Sequence, residues 1–176
     1  ASARKGNPMS ADTNIGPVTT PAQYKKILDY IGIAKAEGAR CILGGGPAAA
    51  SPELTGGQFV EPTIFVDVTP QMRIAREEVF GPVLSIMRAK DFDEALRWAN
   101  STRFALTGAV FSRNEDHLDT AVRQFRVGNL YLNRANVGAL VKVQPFGGFK
   151  MYGSGTKAGG PYYLLHFMDP RCVTEP

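Results

Sequence analysis

A chain of 176 residues with 44% hydrophobic and 20% charged side chains has the length of one ordinary domain and enough apolar material for a core, which excludes an intrinsically disordered segment. The formal charge is +4, but Arg4, Lys5, Lys25, Lys26, Arg73, Arg76, Arg123, Arg126, Lys150 and Lys157 are dispersed rather than clustered, so a nucleic-acid footprint is not expected. Two cysteines, Cys41 and Cys172, are too few for a disulfide scaffold, and no stretch of ~18 apolar residues offers a membrane span.

The opening ASARKGNPMSADTN lacks an initiator Met and the apolar core of a signal peptide, so the expectation is a chain that begins mid-protein. Residues 1–20 are polar, small and Pro-containing and read as an extended or mobile lead-in. Pro21 opens a helix, with Thr20 as its N-cap. Tyr24, Ile27, Leu28, Ile31 and Ala34 follow at helical spacing, and Gly38 ends the run. Ala39–Leu43 is a strand candidate stopped by Gly44-Gly45-Gly46-Pro47, and 47–58 is loop. Two extended pieces flank Pro62 within Phe59–Val68, and Met72–Phe80 is mixed. Pro82–Met87, Leu106–Phe111 and Val127–Leu132 are strand candidates. Asp91–Asn100 and Glu115–Phe125 are helices, the second capped by Ser112 or Asn114. This alternation predicts an α/β domain with a largely parallel sheet. The glycine-rich stretch 134–161 is too long for an idle loop and is expected to be functional or packed against something else. Cys172-Val173-Thr174 is a candidate edge strand.

Three segments are candidates for chemistry. Glu77-Glu78 precedes Val79-Phe80-Gly81-Pro82, and one carboxylate there suits the vicinal hydroxyls of a ribose; the competing reading is a surface pair before a turn. Pro145-Phe146-Gly147-Gly148-Phe149-Lys150 permits close backbone approach beside an aromatic ring. Asn136-Val137-Gly138-Ala139 offers backbone N–H groups that can form a concavity for a carboxylate. The Gly44–Gly46 run lacks the Gly-Lys-Ser/Thr of a phosphate loop and reads as a turn. His117 and His166 have no ligand-like neighbours and read as helix residues, so no metal is expected. Cys41 reads as buried and inert, and Cys172 has no evident base.

EEVFGPV (77–83), GNLYLN (128–133) and PFGGFKMYGSG (145–155) occur in the order and at about the spacing of the aldehyde dehydrogenase superfamily, and GPVTTPAQYKKI (16–27) and FVEPTIF (59–65) fit the same frame. The chain thus resembles the carboxy-terminal part of that family over nearly its whole length. NRANVGALVKVQPFGGF (133–149) and KAGGPYYLLHF (157–167) resemble the members that oxidise glutamate semialdehyde, the open form of 1-pyrroline-5-carboxylate, to glutamate. The resemblance implies a three-layer α/β fold, with a largely parallel sheet carrying helices on both faces. It divides the chain into a partial catalytic domain over 21–167 and an oligomerisation strand over 168–176. Glu78 would bind the nicotinamide ribose and Phe80 would pack near the nicotinamide. Gly138 and Ala139 would anchor the substrate's α-carboxylate, and Phe146 would line the aldehyde pocket. The cofactor would be NAD or NADP, with NAD favoured. Partners would be the aldehyde, an amino-terminal half or full-length subunits, and further copies in a homo-oligomer. The location would be cytoplasm, or mitochondrial matrix in a eukaryote. Two positions depart from the subfamily: Lys142 replaces a usual Gly and Tyr152 a usual Ser. The family's cysteine nucleophile, general base, oxyanion-hole amide and phosphate-binding turns match segments upstream of Gly16-Pro17-Val18, so the isolated chain is expected to be inactive. The alternative is a catalytically dead truncated paralogue that serves as an assembly module.

Overall fold

The computed structural model describes residues 3–49, 52–153 and 156–176. The chain divides into two compact units, Ala1–Ala89 and Lys90–Pro176, a boundary that falls inside the 21–167 span expected to be one domain.

In the first unit, helix α1 (Pro21–Ala36) forms where the sequence places it. The Thr20 hydroxyl accepts from the Gln23 N–H at 3.2 Å and Pro21 fills the first turn. At the other end Gly38, at φ +95°, lets the chain turn back so that its N–H reaches the Lys35 carbonyl and the Ala39 N–H reaches the Ala34 carbonyl. Strands β1 (Arg40–Leu43), β2 (Thr63–Val66) and β3 (Val83–Ser85) follow, with the short helix α2 (Arg73–Arg76) between the last two. The sheet order is β1-β2-β3, antiparallel in the first pair and parallel in the second. Ile27, Ile31 and Ala34 of α1 bury against Phe65, Val60, Val68, Ile74 and Val79, with Tyr24 and Leu28 half-buried at the margin. Full burial of such side chains stabilises by about 1.5–3 kcal/mol each. Leu43, Ile64 and Leu84 lie side by side across the sheet, and Leu43 and Leu84 are exposed.

The extended lead-in expected over 1–20 is, from residue 3, a doubled-back loop. The Gly6 N–H donates to the Ile15 carbonyl at 3.2 Å, the Arg4 N–H to the Asn14 side chain at 2.7 Å, and Lys5 pairs with Glu61. The Val18 N–H donates to the Gln58 carbonyl at 2.8 Å. Polar composition hid this loop, because its order comes from backbone hydrogen bonds and one long-range ion pair rather than from apolar periodicity.

The second unit contains α3 (Phe92–Asn100), β4 (Phe104–Ala105), β5 (Thr107–Val110), α4 (Glu115–Gln124), β6 (Asn129–Leu132) and β7 (Phe149–Lys150). Asp91 caps α3, and Asn114 rather than Ser112 caps α4, its side chain accepting from the Asp116 N–H at 2.9 Å. β5 and β6 pair in parallel from Thr107↔Asn129 to Val110↔Leu132, and β4 pairs antiparallel with β7. The α/β class is as expected, with the sheet in three pieces: parallel in β2–β3 and β5–β6, antiparallel in β1–β2 and β4–β7. Leu96, Ala105, Ala121 and Tyr131 are the buried apolar residues of this unit. A 3₁₀ turn over Tyr163–Phe167 holds His166, while His117 lies in α4 with its ring stacked on Phe92 at 4.3 Å.

The strand expected over 168–176 is absent: these residues carry neither helix nor strand and all are exposed. A strand needs a ladder partner, and none is offered to this segment among the described residues. Cys41 is half-buried rather than buried, its thiol 3.2 Å from the Leu43 carbonyl, and Cys172 is exposed. No helix among the described residues is long and apolar enough to cross a membrane.

Candidate active-site segments

The Glu77–Gly81 segment is held by one face of α1. Gln23, Lys26, Ile27 and Tyr30 are spaced three, four and seven residues from the first, which puts them on a common stripe. The Gln23 amide donates to both the Val79 and the Phe80 carbonyls at 2.8 Å. The Lys26 ammonium donates to the Glu78 carbonyl at 2.8 Å. Ile27 packs where a side chain on Gly81 would go, its Cδ1 lying 2.6 Å from that position. The Tyr30 hydroxyl donates to Glu77.

This clamp separates the two acids that the sequence left equivalent. Glu77 takes two guanidinium bonds from Arg73 at 3.0 Å and the Tyr30 bond. The Arg73 hydrogen bond, then the Tyr30 bond, holds its carboxyl down at about 2. The same contacts raise Arg73 and Tyr30 above their ordinary values. Glu77 is therefore committed to structure. Glu78 is exposed, on a backbone fixed by Lys26. Phe80 sits at φ +55° and is 75% exposed. A left-handed backbone under a bulky residue costs about 1–3 kcal/mol and persists only where the surroundings enforce it. Here the Gln23 bonds and buried Val79 enforce it. An exposed aromatic and an exposed carboxylate, two residues apart on a rigid turn, suit a ring-and-ribose ligand.

In the second unit the chain leaves the carboxyl ends of the parallel pair β5–β6 through Asn133, at φ +53°, whose side chain accepts from the Ser112 N–H at 2.9 Å. A cavity of about 430 Å³ in this unit is lined by Leu106, Thr107, Tyr131, Asn136, Val137, Gly138, Ala139 and Phe146. The three residues expected to contact substrate, Gly138, Ala139 and Phe146, are thus brought together. Gly138 adopts φ +78°, with open space where a side chain would stand, so conformation rather than room requires glycine. Among the described residues neither the Gly138 nor the Ala139 N–H has a hydrogen-bond partner. The loop is closed behind them, where the Gln144 N–H donates to the Leu140 carbonyl at 2.7 Å and the Leu140 N–H to the Gln144 side chain at 3.2 Å. Two N–H groups free among the described residues, beside a mostly apolar cavity, are an arrangement able to hold a carboxylate. Sequence reasoning missed Leu106, Thr107 and Tyr131 as cavity residues. The Asn136 amide lies 3.4 Å from the Thr107 hydroxyl, a contact across 29 positions that no local pattern announces.

The chain belongs to the aldehyde dehydrogenase family, whose model matches residues 1–173. It is 48% identical to 1-pyrroline-5-carboxylate dehydrogenase of Bacillus licheniformis over 174 residues, 99% of this chain and 33% of that one. Among solved structures it is similar to 1-pyrroline-5-carboxylate dehydrogenase from Thermus with bound NAD, at 48% identity and a TM-score of 0.85, covering 93% of this chain and 30% of that one. Proline utilization A from Bdellovibrio bacteriovorus matches at 44% identity and a TM-score of 0.85, covering 94% of this chain and 17% of that one. The chain spans about a third of the length of the curated relatives it matches.

Proposed function

We propose that this chain is part of an NAD-dependent dehydrogenase that oxidises glutamate 5-semialdehyde to glutamate. The observation that carries the reading is the cavity that joins the unpaired N–H groups of Gly138 and Ala139 to the Phe146 ring. A substrate with a carboxylate at one end and an aldehyde at the other fits it: the N–H groups take the carboxylate, and the ring walls the apolar stem. Glu78 accepts from the ribose hydroxyls and Phe80 packs on the nicotinamide. The cofactor supplies a hydride acceptor when bound. The cysteine nucleophile of such a reaction is expected in a segment outside these residues. Neither Cys41 nor Cys172 is among the residues lining the cavity.

In this reading 21–167 is a partial catalytic domain and 168–176 an oligomerisation strand that forms only against a partner. The apolar surface of the second unit supports this. Val137, Val141, Val143, Leu164, Phe167 and Val173 are all exposed, apolar surface that a partner would cover. The partner is an amino-terminal half or further subunits of the same enzyme, acting in the cytoplasm or its mitochondrial equivalent. The same surface also suits the assembly-module reading.

The test compares glutamate semialdehyde with a neutral aldehyde of equal length in the full-length subunit. Bulk at Ala139 (Ala139→Leu) raises the KM for the anionic substrate by about tenfold or more, the loss of one good anchoring contact, and the neutral KM far less. Equal effects on both would remove the anchor role and with it the substrate assignment.

A further inference from the structure

Phe146 is 40% exposed, so burial does not hold its ring at the cavity wall. Its backbone does. The Pro145 carbonyl accepts from the Asn129 amide at 2.9 Å, and the Gly147 N–H donates back to Asn129 at 3.2 Å. The Phe146 N–H and carbonyl bond to Ala158 at 3.0 and 2.8 Å. The last polar group, the Gly147 carbonyl, accepts from the Lys157 ammonium, which also donates to the Gly128 carbonyl at 2.8 Å. Every backbone polar group flanking the ring is thereby taken by protein, where an exposed loop would ordinarily leave them to water.

Lys157 carries a distinct part of this arrangement. Gly128 and Gly147 approach so closely that a Cβ on Gly128 would stand 1.9 Å from the Gly147 oxygen. The two carbonyls accept from one ammonium, which bridges them. Burial pushes that ammonium below the ordinary lysine range, and no acidic side chain lies within 4.0 Å of it among the described residues. Its other neighbour is the Phe149 ring, whose centroid is 4.9 Å away; the Arg126 guanidinium shares that ring at 5.9 Å. A half-buried cation without a counter-ion is costly unless its hydrogen bonds are used.

We propose that Lys157 is a positioning residue for the aldehyde pocket: by bridging the Gly128 and Gly147 carbonyls it fixes the backbone from which Phe146 faces the cavity. The proposal rests on the substrate reading above for its kinetic consequence but not for its structural one.

The test uses the full-length subunit with Lys157→Met, which keeps the stem and removes the donors, and Lys157→Arg, which restores them. Amide hydrogen exchange at Phe146 and Gly147 accelerates by about tenfold or more in Lys157→Met while β5 and β6 keep their protection. The KM for the aldehyde rises by a similar factor and the KM for NAD⁺ stays within about twofold. Lys157→Arg recovers both. Unchanged exchange at Phe146 and Gly147 overturns the proposal whether or not the enzyme turns over, and so does a loss of protection across the whole unit, which would make Lys157 a general fold residue. If wild type lacks glutamate semialdehyde oxidation, the substrate reading falls while the exchange comparison still decides Lys157.

Discussion

Gly128→Ala probes the closest approach in the second unit. The added methyl would meet the Gly147 oxygen at 1.9 Å, the Gly148 Cα at 2.5 Å and the Gly147 carbonyl carbon at 2.7 Å. All three are backbone atoms, so no side chain can rotate aside, and ordinary contact requires a shift of roughly 1–2 Å. The Gly147 peptide is held by Asn129 and Lys157, and the Gly148 N–H by the Tyr152 carbonyl at 3.1 Å, so the shift sacrifices some of these bonds. Overpacking costs about 1–3 kcal/mol and each lost bond about 1 kcal/mol more, for a total near 3–4 kcal/mol. At about 4–8 °C per kcal/mol for a unit of this size, the melting temperature falls by at least ~12 °C. Thermal unfolding by circular dichroism reads the shift. Gly32→Ala in α1 is the control, since nothing lies within 4 Å of its added methyl and a helix interior gains up to ~1 kcal/mol from the change. A Gly128→Ala chain that melts within a few degrees of wild type would refute the packing described for this pocket.

Glu78→Gln in the full-length subunit slows hydride transfer and weakens NAD⁺ binding with little change in melting temperature, whereas Glu77→Gln lowers stability through the Arg73–Tyr30 contacts; the reverse pattern, read by single-turnover kinetics and melting, would exchange the two roles. Because the folded Glu77 carboxyl sits at about 2, below its ordinary 4.5, its contribution is fully present above pH ~5 and fades as pH falls toward 2. Being exposed, it contributes modestly, and Glu77→Gln flattens that part of the acid-unfolding profile; an unchanged profile would show the pair to be inert. Lys142 stands at φ +65°, the conformation for which glycine is built, so Lys142→Gly stabilises by up to ~1 kcal/mol in denaturant melts, and a clear loss would mean that the lysine side chain makes a contact of its own.

Helices α1, α3 and α4 were legible because their signals are local, whereas the one-turn α2 lay in a segment read only as mixed. Thr20, Asp91 and Asn114 cap, Gly38 stops, and Ile27, Ile31 and Ala34 keep the 3.6-residue period. The longer strands showed as apolar runs, while β4 and β7, two residues each, carry no period to detect. Gly138, Ala139 and Phe146 were identified through family resemblance, and the cavity joins them. The hidden part is long-range. Gln23 meets Val79 across 56 positions, and Lys157 meets Gly128 across 29. Neither a glutamine in an exposed helix turn nor a lysine in a glycine-rich loop advertises such a partner. Likewise the left-handed backbones at Phe80, Asn133 and Lys142 belong to residues that give no glycine signal. The choice between Glu77 and Glu78 needed Arg73 and Tyr30, which only the fold brings to one of them.

In the function proposed above, this chain supplies the ribose turn and the carboxylate anchor of a dehydrogenase whose nucleophile belongs to another segment. The direct measurement is NADH formation from NAD⁺ and glutamate semialdehyde, with the 176-residue chain alone, with the amino-terminal portion of a relative supplied in trans, and with both on one chain. No turnover is expected from the chain alone, and turnover is expected when the amino-terminal portion is joined to it. Turnover by the chain alone would contradict this and make Cys41 or Cys172 the nucleophile, and silence in the joined protein would leave a carrier of the family fold that assembles without catalysing.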